Sequence, residues 1–383
     1  MKKLLALLGL ATAAVAAFAQ ALPPPEIAAR QYLLVDMNAG QVLAERGADM
    51  SVDPASFTKL MTAYLVFVAL REHKLALDQK LPVSARALAE RKGGGSLMFI
   101  DTTMTPTVDE LLQGLIVDSG NDAAVALAEG VGGNVEAFVG MMNRQAQAWG
   151  LKDTSFRNAA GLTEAGQRST PRELTAIAQH AIRDFPEYYR YYAQRDYTFN
   201  NIHQDNRNIL LRRDPGVDGM STGFTDAAGY SLLASALRDF PNGKRRLVAL
   251  VMGAAAREAR ADEAQRLLNW GYTAFDDVRL VEAGKQVGAP VPVWKGSQAQ
   301  VGLGSADAIF VAVPKGEGDR LKTQVERTDP LVAPLAKGQR VGSLKVATAS
   351  GSVIATIPLT VLEEVPQASL FGRAWDAIRL WIK

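Results

Sequence analysis

Residues 53–70, DPASFTKLMTAYLVFVAL, constrain the fold more than any other stretch. The run LMTAYLVFVAL is apolar enough to be a buried central helix, and such a helix needs other elements packed around it. It carries one lysine, Lys59, three residues after Ser56, so one helical turn puts both side chains on the same face. Burial strips water from an amine and lowers its pKa towards neutrality, which suits it to take a proton from a hydroxyl. Pro54 and the small residue after it suit a helix start, where free N–H groups and the helix dipole favour developing negative charge. The competing reading is a capping serine beside a lysine that snorkels to solvent. An S-x-x-K pair alone does not decide between them, because about one or two arise by chance in a chain of this size.

The chain has the length to enclose such a helix. Its 383 residues, 48% apolar and 21% charged, allow one large domain and a smaller one. Forty-two basic and 40 acidic residues leave a net charge of +2, so nothing in the overall field selects nucleic acid as a partner. The absence of cysteine excludes thiolate nucleophiles, C-x-x-C redox motifs and cysteine metal sites. His73, His180 and His203 lie far apart without H-E-x-x-H spacing, which argues against a zinc site. No metal, nucleotide or redox cofactor is implied. At the N-terminus, MKKLLALLGLATAAVAAFAQA joins Lys2 and Lys3 to an apolar run and the small-residue site Ala17-Phe18-Ala19, the pattern of a secretory signal peptide over residues 1–19.

Apolar runs on either side of Asn38-Ala39-Gly40 predict an opening β-hairpin. Helical periodicity follows at 57–72, 108–118, 120–130 and 135–149. STPRELTAIAQHAIRDFP has a Ser/Thr cap, proline in the first turn and glutamate close behind, which predicts another helix. YSLLASAL and RRLVALVMG read as paired strands, and a helix over 258–272 follows. From Phe275 onward, short Val-rich runs alternate with Gly, Pro and Asp turns. The expected fold class is therefore α/β (α+β): helices on an antiparallel sheet over 27–274, then a small all-β domain over 275–366. Residues 368–383 form an amphipathic pattern, with Phe371, Ala374, Ile378 and Trp381 on one face and Arg373, Asp376, Arg379 and Lys383 elsewhere. It is too short to span a bilayer and suits a helix lying on a membrane surface; the alternative is a helix docked on its own protein. The tyrosine-rich run from Tyr188 reads as packed structure rather than a sugar-stacking platform.

Two further stretches bear on Ser56 and Lys59. Ser119-Gly120-Asn121 opens the third helical pattern, where a serine can relay a proton and an asparagine can hold an amine or a substrate amide. Further on, Ser221-Thr222-Gly223 supplies hydroxyls and a glycine on a strand.

With these three stretches in this order, the chain resembles the serine D-alanyl-D-alanine carboxypeptidases, low-molecular-mass penicillin-binding proteins with a β-lactamase-like transpeptidase fold. The resemblance runs from about Ala28 to Lys383 and includes PASFTKLMTAY, GGSLMFI, SGNDAAVALAE, AFVGMMN, DGMSTGFTDAAGYSLLASA and RLLNWGY. It implies that Ser56 attacks the carbonyl between the two terminal D-alanines of a peptidoglycan stem peptide, with Lys59 as base and Ser119 passing a proton to the leaving D-alanine. Asn121, Ser221, Thr222, Gly223 and Arg260 would bind substrate, and the backbone N–H groups of Ser56 and Phe224 would form the oxyanion hole. β-Lactams would acylate the same serine, and the protein would be periplasmic, attached to the inner membrane by its C-terminal helix.

One motif departs from the family. Where its members carry K-T-G, usually followed by histidine, this chain has Ser221-Thr222-Gly223-Phe224, and no lysine lies between Lys152 and Lys244. Loss of a charge-assisted contact of roughly 1.5–3 kcal/mol corresponds to about ten- to a hundredfold in rate or affinity. The expectation is an attenuated carboxypeptidase. The alternatives are an inactive penicillin- or peptidoglycan-binding pseudoenzyme, and a related D,D-endopeptidase or β-lactamase.

Overall fold

The computed structural model describes residues 23–382; the signal peptide read at 1–19 lies outside them. In chain order the first part contains β1 (Gln31–Asp36), β2 (Gln41–Arg46), α1 (Thr58–Arg71), α2 (Ala85–Ala89), α3 (Val108–Ile116), α4 (Asn121–Gly132), α5 (Val135–Ala148), α6 (Pro171–Asp184) and α7 (Pro186–Tyr189). It continues with β3 (Asp196–Phe199), β4 (Ile202–Asp205), α8 (Leu210–Arg213), β5 (Val217–Thr225), β6 (Gly229–Phe240), β7 (Gly243–Ala254) and α9 (Arg257–Ala274).

The main sheet is antiparallel, in the order β2-β1-β7-β6-β5. Both of its faces are covered, which is why β6 and β7 read as continuous apolar runs rather than alternating ones. Along β7, Val248, Leu250 and Met252 face the helical core that holds α1, whereas Leu247, Ala249 and Val251 face the layer under α9. Twelve of the 14 residues of α1 are buried, so this helix is enclosed on nearly all sides by α3, α4, α5 and α6. The hairpin and the expected helices occur at the predicted places. At α6, Thr170 accepts from the Glu173 N–H and Pro171 stands in the first turn, as the sequence pattern required. Tyr189, Tyr191 and Tyr192 are buried in the core, so the tyrosine run is packing.

The second part is all β: β8 (Phe275–Val281), β9 (Val291–Trp294), β10 (Gln300–Val301), β11 (Leu303–Gly304), β12 (Ile309–Pro314), β13 (Lys322–Arg327), β14 (Leu331–Val332), β15 (Arg340–Ala347) and β16 (Val353–Val361). Its valines and leucines form a separate core. Helix α9 runs directly into β8, and Gln41 ties the parts together by accepting from the Ala312 N–H at 2.7 Å and donating to the Ala312 carbonyl at 3.3 Å.

Helix α10 (Leu370–Ile382) closes the chain. Its polar side docks: the Lys295 N–H donates to Asp376 at 2.7 Å, and the Arg379 guanidinium lies over the Trp294 ring. Its apolar side does not, for Phe371 and Trp381 are each 89% exposed. Trp375, absent from the face read in the sequence, belongs to it and is also exposed. Among the described residues no helix is long and apolar enough to cross a membrane.

Candidate active site

Ser56 lies in a single 3-10 turn, Ala55–Phe57, that leads into α1. No side chain caps this turn or the helix after it, so the capping-serine reading fails. Lys59 follows in the first turn of α1 and is only 5% exposed, so it does not snorkel. Its Nζ donates to Asn121 Oδ1 and to the Ala160 carbonyl, each at 2.7 Å, and lies 3.4 Å from Ser56 Oγ. A neutral amine has two hydrogens and one lone pair. In the neutral form, with both hydrogens given to these two fixed acceptors, the lone pair is what remains for the serine hydroxyl; in the charged form the third hydrogen points there instead. Burial first, then the Arg207 guanidinium, lowers the Lys59 pKa to about 7, while Glu90 and Asp122 oppose the shift.

The two acceptors are themselves held. Asn121 is the first residue of α4, whose N-cap is Gly120 without a side-chain cap, so neither Ser119 nor Asn121 is spent on capping. Gly120 packs tightly, since a Cβ there would stand 2.9 Å from Asp122 Oδ1. Asp122 is fully buried and accepts from the N–H groups of Met98 at 2.8 Å and Ile100 at 3.1 Å, which fastens the GGSLMFI loop against α4. Ser119 takes a left-handed backbone conformation, φ +58°, that turns the chain into the helix. The Ala160 carbonyl is positioned by the next residue. Gly161 has φ +90°, and a Cβ there would fall 1.9 Å from the Ala55 carbonyl oxygen, so only glycine lets this loop close on the serine turn.

These groups open into a cleft of about 470 Å³. Ser56, Ser119 and Asn121 form its floor, Thr222, Gly223 and Phe224 of β5 one wall, and Arg207, Arg257 and Arg260 a cationic side. Because β5 is the outermost strand of the sheet, its free edge is available to an extended peptide. Arg260 is not a solvated helix-start residue. It is 4% exposed, and its guanidinium donates to the carbonyls of Ser231 at 3.2 Å, Gly223 at 3.3 Å and Arg207 at 3.4 Å. Burial, with Arg257 and Arg207 nearby, brings its pKa down to about 10, so it stays charged at neutral pH.

Ser221, expected among the substrate-binding residues, does not line the main cleft. It borders a small cavity behind it with Lys59, Ser119, Tyr192, Arg207 and Thr222. With no third-motif lysine present, Arg207 is the cation that helps lower the Lys59 pKa. Sequence reading missed Arg207, which sits in NRNILL with no spacing relation to the other motifs, and Ala160-Gly161, whose contribution is a backbone carbonyl. The Asn-Arg-Asn pattern was the one available signal.

The family described as D-alanyl-D-alanine carboxypeptidase, peptidase S11, matches residues 17–256, and the one described as penicillin-binding protein 5, C-terminal domain, matches residues 275–367. D-alanyl-D-alanine carboxypeptidase DacA of Haemophilus influenzae is 40% identical over 362 residues, which are 94% of this chain and 91% of that protein. The crystal structure of penicillin binding protein 5 from Haemophilus influenzae superposes with a TM-score of 0.83 at 40% identity, covering 90% of this chain and all (100%) of that one. Penicillin-Binding Protein D2 from Listeria monocytogenes in its ampicillin-bound form gives a TM-score of 0.59 at 31% identity, over 66% of this chain and 100% of that one.

Proposed function

The chain belongs to the S11 family of D-alanyl-D-alanine carboxypeptidases, and on that premise we propose how its own residues perform a serine-type carboxypeptidase reaction. The substrate is a peptidoglycan stem peptide ending in D-Ala-D-Ala, laid along the free edge of β5. Ser56 Oγ attacks the carbonyl carbon of the penultimate D-alanine as its proton passes to Lys59. The C–N bond then breaks, and the departing amine takes a proton relayed through Ser119. Water hydrolyses the resulting ester and frees the serine. Asn121 and Thr222 orient the peptide, Arg260 faces its terminal carboxylate, and the N–H groups of Ser56 and Phe224 receive the oxyanion. A β-lactam presents a strained amide to the same hydroxyl. The observation that carries this reading is the Lys59 amine, whose two hydrogens are committed and whose remaining side lies 3.4 Å from Ser56 Oγ. Release of D-alanine from a D-Ala-D-Ala peptide, together with a penicilloyl mass increment on the peptide containing Ser56, is the expected result. A penicilloyl group on any other residue sinks the assignment.

The pH dependence follows from the same amine. The reactive form of Lys59 is deprotonated and its pKa is about 7, so acylation falls roughly tenfold per unit below pH 7 and levels off above it. Stopped-flow acylation from pH 5.5 to 9 tests this, and a flat profile contradicts it.

The signal peptide, the domain limits of 27–274 and 275–366, and a periplasmic location at the inner membrane are part of the same proposal. Helix α10 offers Phe371, Trp375, Ile378 and Trp381 to a lipid surface while Asp376 and Arg379 fasten it to the β domain. Replacing both Trp375 and Trp381 by alanine is expected to weaken partitioning into anionic phospholipid vesicles about tenfold or more, with D-alanine release unchanged. Unaltered partitioning in a sedimentation assay counts against the membrane role.

A further inference from the structure

The third motif of this chain carries no cation, yet the Lys59 amine has one close by. Ser221 of β5 ends in a hydroxymethyl group, and the cavity beside it has room for about one water, 10 Å³. Arg207 borders that cavity together with Ser221, Lys59 and Ser119, and also reaches the main cleft. Its position is built. The Arg207 Nε–H donates to the Asp118 carbonyl at 3.2 Å, immediately before Ser119. On either side, Asn206 donates to the Gln194 carbonyl at 2.8 Å, and Asn208 to the Gly219 carbonyl at 2.9 Å, two residues before Ser221. Arg260 donates to the Arg207 carbonyl from behind. A loop that Asn208 fastens to the strand bearing the altered motif, and Asn206 to the Gln194 carbonyl, thus brings Arg207 into the lining of the same small cavity as Ser221.

We propose that Arg207 is a positioning residue that takes over the electrostatic task of the absent third-motif lysine: its guanidinium, in the lining of the small cavity it shares with Lys59 and Ser119, sets positive charge beside the acylating pair and at the carboxylate end of the cleft. The inference rests on Ser56 and Lys59 being the acylating pair. Like charges in a water-poor site raise each other's cost of protonation, and Arg207 yields least because a guanidinium is far more basic than an amine. Around the pair stand Glu90 and Asp122, which favour the charged lysine, and Asp118, Arg257 and Arg260, which face Arg207. Asp118 is buried, with one oxygen unpartnered, and its pKa is pushed up to about 7, mainly by burial, so around neutral pH it only partly offsets the arginine.

The test is acylation by a chromogenic penicillin, followed across pH in full-length protein. Arg207→Gln keeps a donor for the Asp118 carbonyl and removes the charge; Arg207→Lys keeps a charge. The expected result is that R207Q moves the acid limb up by about one unit and lowers acylation at pH 7 about fivefold, while R207K stays near the parent. Ser221→Lys should then add little to the parent, less than about twofold, and restore about fivefold in the R207Q background. An unmoved acid limb in R207Q, or an equal gain from S221K in both backgrounds, overturns the inference. If R207Q does not fold, S221K in the parent decides: a gain of about fivefold or more shows that the third-motif charge was missing after all. Absence of label on Ser56 in the parent overturns the underlying reading instead, and the inference with it.

Discussion

Lys59→Met is expected to lower both acylation by penicillin and D-alanine release by about 10²–10⁴-fold, the usual worth of a positioned general base. Methionine matches the length and apolar stem of lysine, so the packing of α1 survives and only the amine is lost. Stability should move the other way. An amine 95% buried whose pKa is lowered takes up its proton more readily in the unfolded chain than in the folded one, so near neutral pH it opposes folding. The substitution removes that penalty, and the thermal midpoint is expected to hold or rise. A catalytic loss without a stability loss separates chemistry from folding. Lys59→Arg sharpens the comparison: a guanidinium cannot deprotonate near neutral pH, so the variant keeps charge and loses the base. If K59M retains activity within tenfold of the parent, some other group removes the Ser56 proton.

Arg245→Ala is expected to cost about 3–5 kcal/mol, the range for leaving one member of a buried ion pair alone. Arg245 and Asp36 are both fully buried, with Nε to Oδ2 at 2.7 Å, and Arg245 also donates to the Phe275 carbonyl at 2.8 Å. The pair thus links β1 and β7 to the first residue of β8. Without the guanidinium, Asp36 keeps only its bonds from the N–H groups of Asn38 and Ala39. A fall of roughly 10 °C in the midpoint of the catalytic part should follow, read by differential scanning calorimetry. Exposed pairs such as Arg172 with Asp49 should contribute about 1 kcal/mol or less. The double change Asp36→Asn with Arg245→Met should recover much of the loss, because it removes the stranded charge and fills the space with apolar volume. If R245A is neutral, the pair holds nothing together.

Much of this arrangement is legible in the sequence alone. The central helix, the Ser56–Lys59 spacing, the Ser119-Gly120-Asn121 helix start and the shift to short strands at Phe275 are local patterns, and periodicity reports them directly. Buried runs such as those of β6 and β7 were legible as strands, but not which face each residue served, since both faces are covered. The missing lysine was equally plain, but the cation that does stand near Lys59 was not. Replacing a charge has to be assessed in space, and Arg207 stands 148 residues from Lys59 along the chain. Ala160 escaped notice for a different reason: its contribution is a carbonyl, which every residue has, and only the turn at Gly161 aims it.

The amino-acid order by itself determined the chemistry on offer: a hydroxyl and an amine one helical turn apart at the head of a helix too apolar to be left in water. It also determined that no thiol takes part. Tertiary structure alone decided how far the pKa of this amine comes down, to about 7. Its proton affinity is the sum of lost hydration and the fields of Arg207, Glu90 and Asp122, all brought to it by other elements, and charges act through distance in space rather than separation along the chain.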